Sequence, residues 1–137
     1  MTTSPNPSAP ARKQLVPSPD HPITVTPATT RVVVRANGRP IADTREALTL
    51  REASYPAVQY IPRKDVDMSR LTRTDHQTYC PYKGDASYYS IADLGEAGEN
   101  VIWTYETPFD AVKPIAGYVA FYPNRVDSID TSEPLGD

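Results

Sequence analysis

The chain has 137 residues, a formal charge of −3, 39% hydrophobic residues and one cysteine. That length fits a single domain. The mildly acidic balance argues against binding nucleic acid through a broad basic face, which needs clustered Lys and Arg to displace counterions. A single cysteine leaves no intrachain disulfide. No apolar run approaches the ~20 residues that cross a bilayer. Residues 1–10 lack the charged start and apolar centre of a signal peptide. A cytoplasmic protein without membrane contact is therefore expected.

In chain order, residues 1–22 read as a disordered tail. Six of the fifteen prolines fall there, and Leu15 and Val16 are its only large aliphatics. Proline removes backbone donors, and so little apolar surface does not offset the entropy of ordering. A single β domain is expected over residues 23–129, followed by an acidic tail over 130–137. Residues 23–26 alternate apolar and polar. Residues 31–36 are rich in valine, and Asn37-Gly38 follows them. That dipeptide between two apolar stretches signals a hairpin, because both residues tolerate positive φ. Residues 39–44 form the return strand. Two more strands are expected at 47–51 and 57–61, where Pro62 stops the pattern. Residues 65–72 carry the one helical turn expected. Strands then follow at 77–82, 86–92, 101–105 and 117–122, with a short one at 125–129. Several short strands at this spacing predict an all-β fold.

Chemistry concentrates in one stretch, His76-Gln77-Thr78-Tyr79-Cys80-Pro81-Tyr82-Lys83-Gly84-Asp85-Ala86-Ser87-Tyr88-Tyr89. It holds the only cysteine, one of two histidines and four of nine tyrosines. With Lys83-Gly84 as a two-residue turn, Tyr82 would face Asp85 and Cys80 would face Ser87. Residues two apart share a face. His76, Thr78, Cys80, Tyr82, Asp85, Ser87 and Tyr89 would then line one surface, with Tyr79, Ala86 and Tyr88 on the other. A nucleophilic Cys80 needs a cation or histidine beside it, and Lys83 and His76 are the nearest in sequence. Four residues of straight strand span ~13 Å, so His76 reaches Cys80 only where the strand bends. A buried, inert thiol is the alternative. One cysteine and two histidines fall short of a structural zinc set, and no metal or cofactor is expected. No Gly-rich phosphate loop is present. Arg63-Lys64-Asp65 reads as a salt-bridged surface turn or as a source of charge for an anionic ligand. Trp103 reads as core.

The run Cys80-Pro81-Tyr82-Lys83-Gly84-Asp85-Ala86-Ser87-Tyr88-Tyr89, with His76 before it, resembles the signature of the domain-of-unknown-function-427 family. Tyr60-Ile61-Pro62-Arg63-Lys64-Asp65-Val66, Trp103 and Pro114-Ile115-Ala116-Gly117-Tyr118-Val119-Ala120-Phe121-Tyr122 extend the resemblance over residues 32–126. It implies several coiled antiparallel sheets of the β-tent or Mss4-like kind. It supplies no established reaction. The label nucleotidyltransferase-like attached to the family implies Mg²⁺ on closely spaced carboxylates. Asp65-Val66-Asp67 is the only such pair in the expected core.

The reading that follows is a small-molecule-binding domain or enzyme, with a pocket at residues 80–89. Cys80, His76 and Lys83 are the candidate catalytic groups. Arg63, Tyr82, Asp85, Ser87, Tyr89 and Trp103 are the candidate ligand contacts. The alternatives are a non-catalytic protein-interaction module and a nucleotidyltransferase.

Overall fold

The structure is a computed structural model that describes residues 12–136. Residues 1–11 of the expected N-terminal tail, and Asp137, lie outside the described residues. Among the described residues, ten strands form three antiparallel sheets: β1 (Ile23–Pro27), β2 (Val32–Ala36), β3 (Arg39–Thr44), β4 (Leu48–Glu52), β5 (Val58–Tyr60), β6 (Leu71–Cys80), β7 (Gly84–Ile91), β8 (Ile102–Thr104), β9 (Val119–Phe121) and β10 (Ser128–Asp130). The sheet orders are β1-β4-β5, β10-β2-β3 and β6-β7-β8-β9. The fold is mostly β, as expected. The helical residues form short 3₁₀ segments, among them Arg63–Asp65, Met68–Arg70 and Ala92–Gly98. They are more numerous than the single turn expected. No helix among the described residues is long and apolar enough to cross a membrane.

The four-stranded sheet is the middle layer. Strands β7, β8 and β9 are largely buried on both faces, which is what a sheet covered on both sides requires, whereas β6 is half-exposed to exposed. Side chains alternate along β7. Tyr89 and Ile91 join a cluster with Val32, Val34, Ile41 and Phe121, against the β10-β2-β3 sheet. Ala86 and Tyr88 join Leu50, Tyr60, Val112 and Ala120, against the β1-β4-β5 sheet. Val32, Val34, Ile91, Ile102 and Val119 are wholly buried, each contributing about 1.5–3 kcal/mol of transfer free energy. Asn37 and Gly38 sit at φ 55° and 76° and close the β2–β3 hairpin as their sequence predicts.

The β6–β7 hairpin departs from expectation. Its turn is Pro81-Tyr82-Lys83, and the Lys83 N–H donates to the Cys80 carbonyl at 3.1 Å. Cys80 pairs with Gly84, Tyr79 with Asp85, Thr78 with Ala86 and Gln77 with Ser87. Proline suits the second position of a β-turn. Gly84 opens β7 directly after the turn at φ 109°, a backbone conformation that glycine adopts at no steric cost. The two-residue Lys83-Gly84 turn is thereby corrected, and with it the pairing of Cys80 with Ser87. β6 also starts earlier than predicted, at Leu71, and its register shifts between Arg73 and Gln77. Its sequence through that bulge is polar and half-exposed to exposed, so it lacks the alternation that would have marked a strand.

Residues 12–21, read from the sequence as part of the tail, run beside this hairpin. The Leu15 N–H donates to the Pro81 carbonyl at 2.9 Å. The Tyr79 hydroxyl donates to the Lys13 carbonyl at 2.6 Å. Arg12 lies over the Tyr79 ring and pairs with Asp85 at 2.6 Å.

Candidate functional site

A hollow of about 230 Å³ opens beside the hairpin turn, between the four-stranded sheet and the β1-β4-β5 sheet. β4 ends in Glu52, which forms part of its wall, and the turn before β7 delivers Lys83. Tyr60, Tyr88, Trp103, Tyr105 and Tyr122 supply aromatic surface. The Trp103 indole N–H donates to the Tyr60 hydroxyl at 3.1 Å. Trp103 and Tyr122 lie 4.6 Å apart, centroid to centroid. The Tyr88 hydroxyl hydrogen-bonds Thr78 Oγ1 at 2.9 Å.

The charged part of the hollow is compact. Lys83 Nζ donates to Glu52 Oε1 at 2.5 Å, and the other carboxylate oxygen, Oε2, lies 2.7 Å from His21 Nε2. A carboxylate only accepts, so His21 carries a proton on Nε2. The side chains of Lys83 and Glu52 are 10% and 15% exposed. Burial opposes ionisation of Glu52, but hydrogen bonds from Lys83 and His21 outweigh it and hold the carboxyl below its ordinary value. Burial also raises the Tyr60 and Tyr105 phenols, and it pushes Tyr122 up to about 12. These tyrosines stay neutral at physiological pH and act as hydrogen-bonding walls.

The predicted site residues divide between two faces of the sheet. Lys83 and Trp103 reach the hollow. Cys80 stands behind Lys83, with its sulfur 3.7 Å from Nζ, and packs against the apolar cluster. His76 does not join them. It is exposed, and its ring meets the edge of Tyr88 at 4.5 Å. Tyr82 stacks on His21 at 4.1 Å with planes 6° apart. Asp85 is exposed and paired with Arg12. Arg63, Ser87 and Tyr89 lie on the opposite face. There Arg63 donates to the Tyr89 hydroxyl at 3.0 Å, and Arg73 donates to Ser87 Oγ at 3.1 Å. The single surface expected for the thiol, hydroxyl, carboxylate and phenol is corrected by the observed register.

Sequence reasoning missed Glu52 and His21. Glu52 closes a strand, and its partners are each 31 residues away. His21 sits among prolines, immediately before β1. The β1–β4 ladder, which pairs Ile23 with Glu52, brings them together. The carboxylates of Asp65-Val66-Asp67 serve local structure. Asp65 accepts from Thr44 Oγ1 at 2.7 Å, and Asp67 caps the following turn through the Ser69 N–H. Among the described residues, no group of three or more His, Cys, Asp or Glu is placed to hold a metal ion.

The family described as Domain of unknown function (DUF427) matches residues 24–132. The chain belongs to this family. The match contains β1 through β10 apart from the first residue of β1, so it includes Glu52, Lys83, Cys80 and the aromatic wall. His21 lies just before it. No curated protein matches this DUF427 chain.

Proposed function

We propose that this DUF427 domain binds a small planar molecule in the hollow beside the β6–β7 turn. The observation that supports this most is the Lys83–Glu52 pair in the wall of an aromatic hollow. Burying an ion pair costs more desolvation than it returns unless its geometry is excellent. Replacing such a pair by apolar residues of similar volume is often neutral or stabilising. Here the pair offers a guest a donor and an acceptor side by side, below aromatic faces that stack on a ring. Lys83 is already neutralised by Glu52. The fitting guest is therefore a neutral or zwitterionic ring with adjacent donor and acceptor groups, rather than a bare anion. In an enzymatic version of this reading, Lys83 and Glu52 would exchange a proton with that edge, while Cys80 stays behind the lysine.

Trp103 is the only tryptophan and lines the hollow, so its emission reports occupancy. Titration with nucleobases, nucleosides and aromatic amino acids should find a compound that changes Trp103 fluorescence and raises the melting temperature. Lys83→Met should abolish both responses. If no compound does either, and a stoichiometric protein partner is recovered instead, the interaction-module reading replaces this one. Mg²⁺-dependent nucleotide consumption abolished by Asp65→Asn would instead favour nucleotidyl transfer.

A further inference from the structure

The face opposite the hollow carries a second constellation. Arg63, in the 3₁₀ turn after β5, donates through Nε to the Gly117 carbonyl at 2.6 Å and through Nη1 to the Tyr89 hydroxyl at 3.0 Å. Arg73, at the β6 bulge, donates through Nη2 to Ser87 Oγ at 3.1 Å. Both guanidinium groups lie near the Tyr89 ring, 5.6 and 5.7 Å from its centroid. Two like charges share this small surface, and one carboxylate bridges them. Glu106 accepts from Arg63 Nη2 at 3.3 Å and from Arg73 at 3.0 and 3.3 Å.

The fixed and the replaceable parts are distinct. The Gly117 carbonyl and the Tyr89 hydroxyl fix the Arg63 fork and Ser87 Oγ steers Arg73, which reduces the freedom lost on binding. Glu106 belongs to the irregular segment after β8, and its side chain is 42% exposed. Exposed ion pairs of this kind stabilise weakly. One carboxylate also leaves the pair of arginines with an excess positive charge. A dianion with three equivalent oxygens meets both forks at once, which a single carboxylate matches only in part.

We propose that Arg63 and Arg73 form a binding site for a phosphate dianion, the end group of a phosphomonoester, and that Glu106 occupies it until displaced. Ser87 and Tyr89 orient the two forks. The site is separate from the aromatic hollow: Tyr88 faces one and its neighbour Tyr89 the other. It therefore stands or falls apart from the function proposed above.

The test follows the Arg63 and Arg73 Nε–H signals by NMR in the full-length ¹⁵N-labelled protein. Inorganic phosphate is added at about pH 7.5, where it is mostly dianionic, and acetate at equal ionic strength is the control. Both signals should move along one saturable curve with phosphate and not with acetate. Glu106→Gln should tighten phosphate binding about fivefold, the scale of repulsion between like charges at contact distance in water. Arg73→Lys keeps the charge but loses the fork, and should weaken binding. Circular dichroism checks that each variant folds. Absence of saturable phosphate shifts in both the wild type and Glu106→Gln overturns the proposal. So does acetate binding as tightly as phosphate, or Arg73→Lys leaving the affinity unchanged.

Discussion

The two faces of the middle sheet carry the same arrangement at different depths. On the hollow side, one carboxylate, Glu52, is held by Lys83 and His21. On the other side, one carboxylate, Glu106, is held by Arg63 and Arg73. The Lys83 and Glu52 side chains are 10% and 15% exposed, against 34–47% for the arginine group. Burial decides what such a cluster does. A desolvated pair is costly to break, because the abandoned charge has no water to turn to. A solvated pair exchanges partners at little cost.

The largest effect should come from breaking the buried pair on one side only. Lys83→Met leaves the buried Glu52 carboxylate with His21 as its remaining partner, and the loss of stability in urea denaturation should be about 3 kcal/mol. The double variant Lys83→Met with Glu52→Leu removes both charges and should recover more than half of that loss. A Lys83→Met loss below about 1 kcal/mol would place the pair in the solvated class and erase the contrast between the faces.

The pH response is the next in size. The folded Glu52 carboxyl sits below its ordinary value because hydrogen bonds from Lys83 and His21 overcome the opposing effect of burial. A carboxyl with a depressed folded pKa binds fewer protons folded than unfolded. Its contribution is present in full above the unfolded value near 4.5 and is lost as pH falls through the folded value. Glu52→Gln should therefore flatten the acid limb of the stability profile, whereas Glu106→Gln should leave this contribution in place. The flattening is partial. Asp93 is also held low, chiefly by Arg70, as are Asp43 by Arg31 and Asp130 by Ser132. A profile from pH 7 to 3 by chemical denaturation measures it.

What was legible in the sequence follows the same division between local and distant causes. Asn37-Gly38 set the β2–β3 hairpin because the dipeptide alone supplies two positive φ angles. β3 occupies residues 39–44, the return strand expected after that turn. The β6–β7 register was misread because Lys83-Gly84 looked like a two-residue turn. The decisive signal was Pro81, which favours the second position of a turn and puts Gly84 at the start of β7 rather than inside the loop. That shift moved Ser87 away from Cys80 and split the expected site between two faces. Lys83 was legible because its own segment, residues 76–89, is distinctive. Glu52 and His21 were not, because nothing within their neighbourhoods differs from an ordinary strand end and a proline-rich lead. Only the β1–β4 ladder and the packing of two sheets bring them to Lys83, and no periodicity records that.

The smallest effects should separate the two arginines. They share Glu106, so loss of that pair alone would make Arg63→Met and Arg73→Met equivalent, each below about 1 kcal/mol. Their other contacts differ. Arg63 also donates to the Gly117 carbonyl and to the hydroxyl of the buried Tyr89, next to the Ile61–Val119 bridge that links β5 to β9. Removing it leaves those acceptors facing a methionine, a further loss of about 1 kcal/mol. Arg73 projects from an exposed bulge, and beyond the carboxylate it donates to Ser87 Oγ and lies near the Tyr89 ring. Ser87 Oγ is a hydroxyl that can turn to another partner once the arginine is gone. Arg63→Met should therefore cost the more of the two in urea denaturation, while Arg73→Met stays within about 0.5 kcal/mol of wild type. Equal losses would mean that Glu106, not the sheet, holds both guanidinium groups. The arginine side would then be one exposed ion-pair network rather than two anchored forks with a replaceable carboxylate between them.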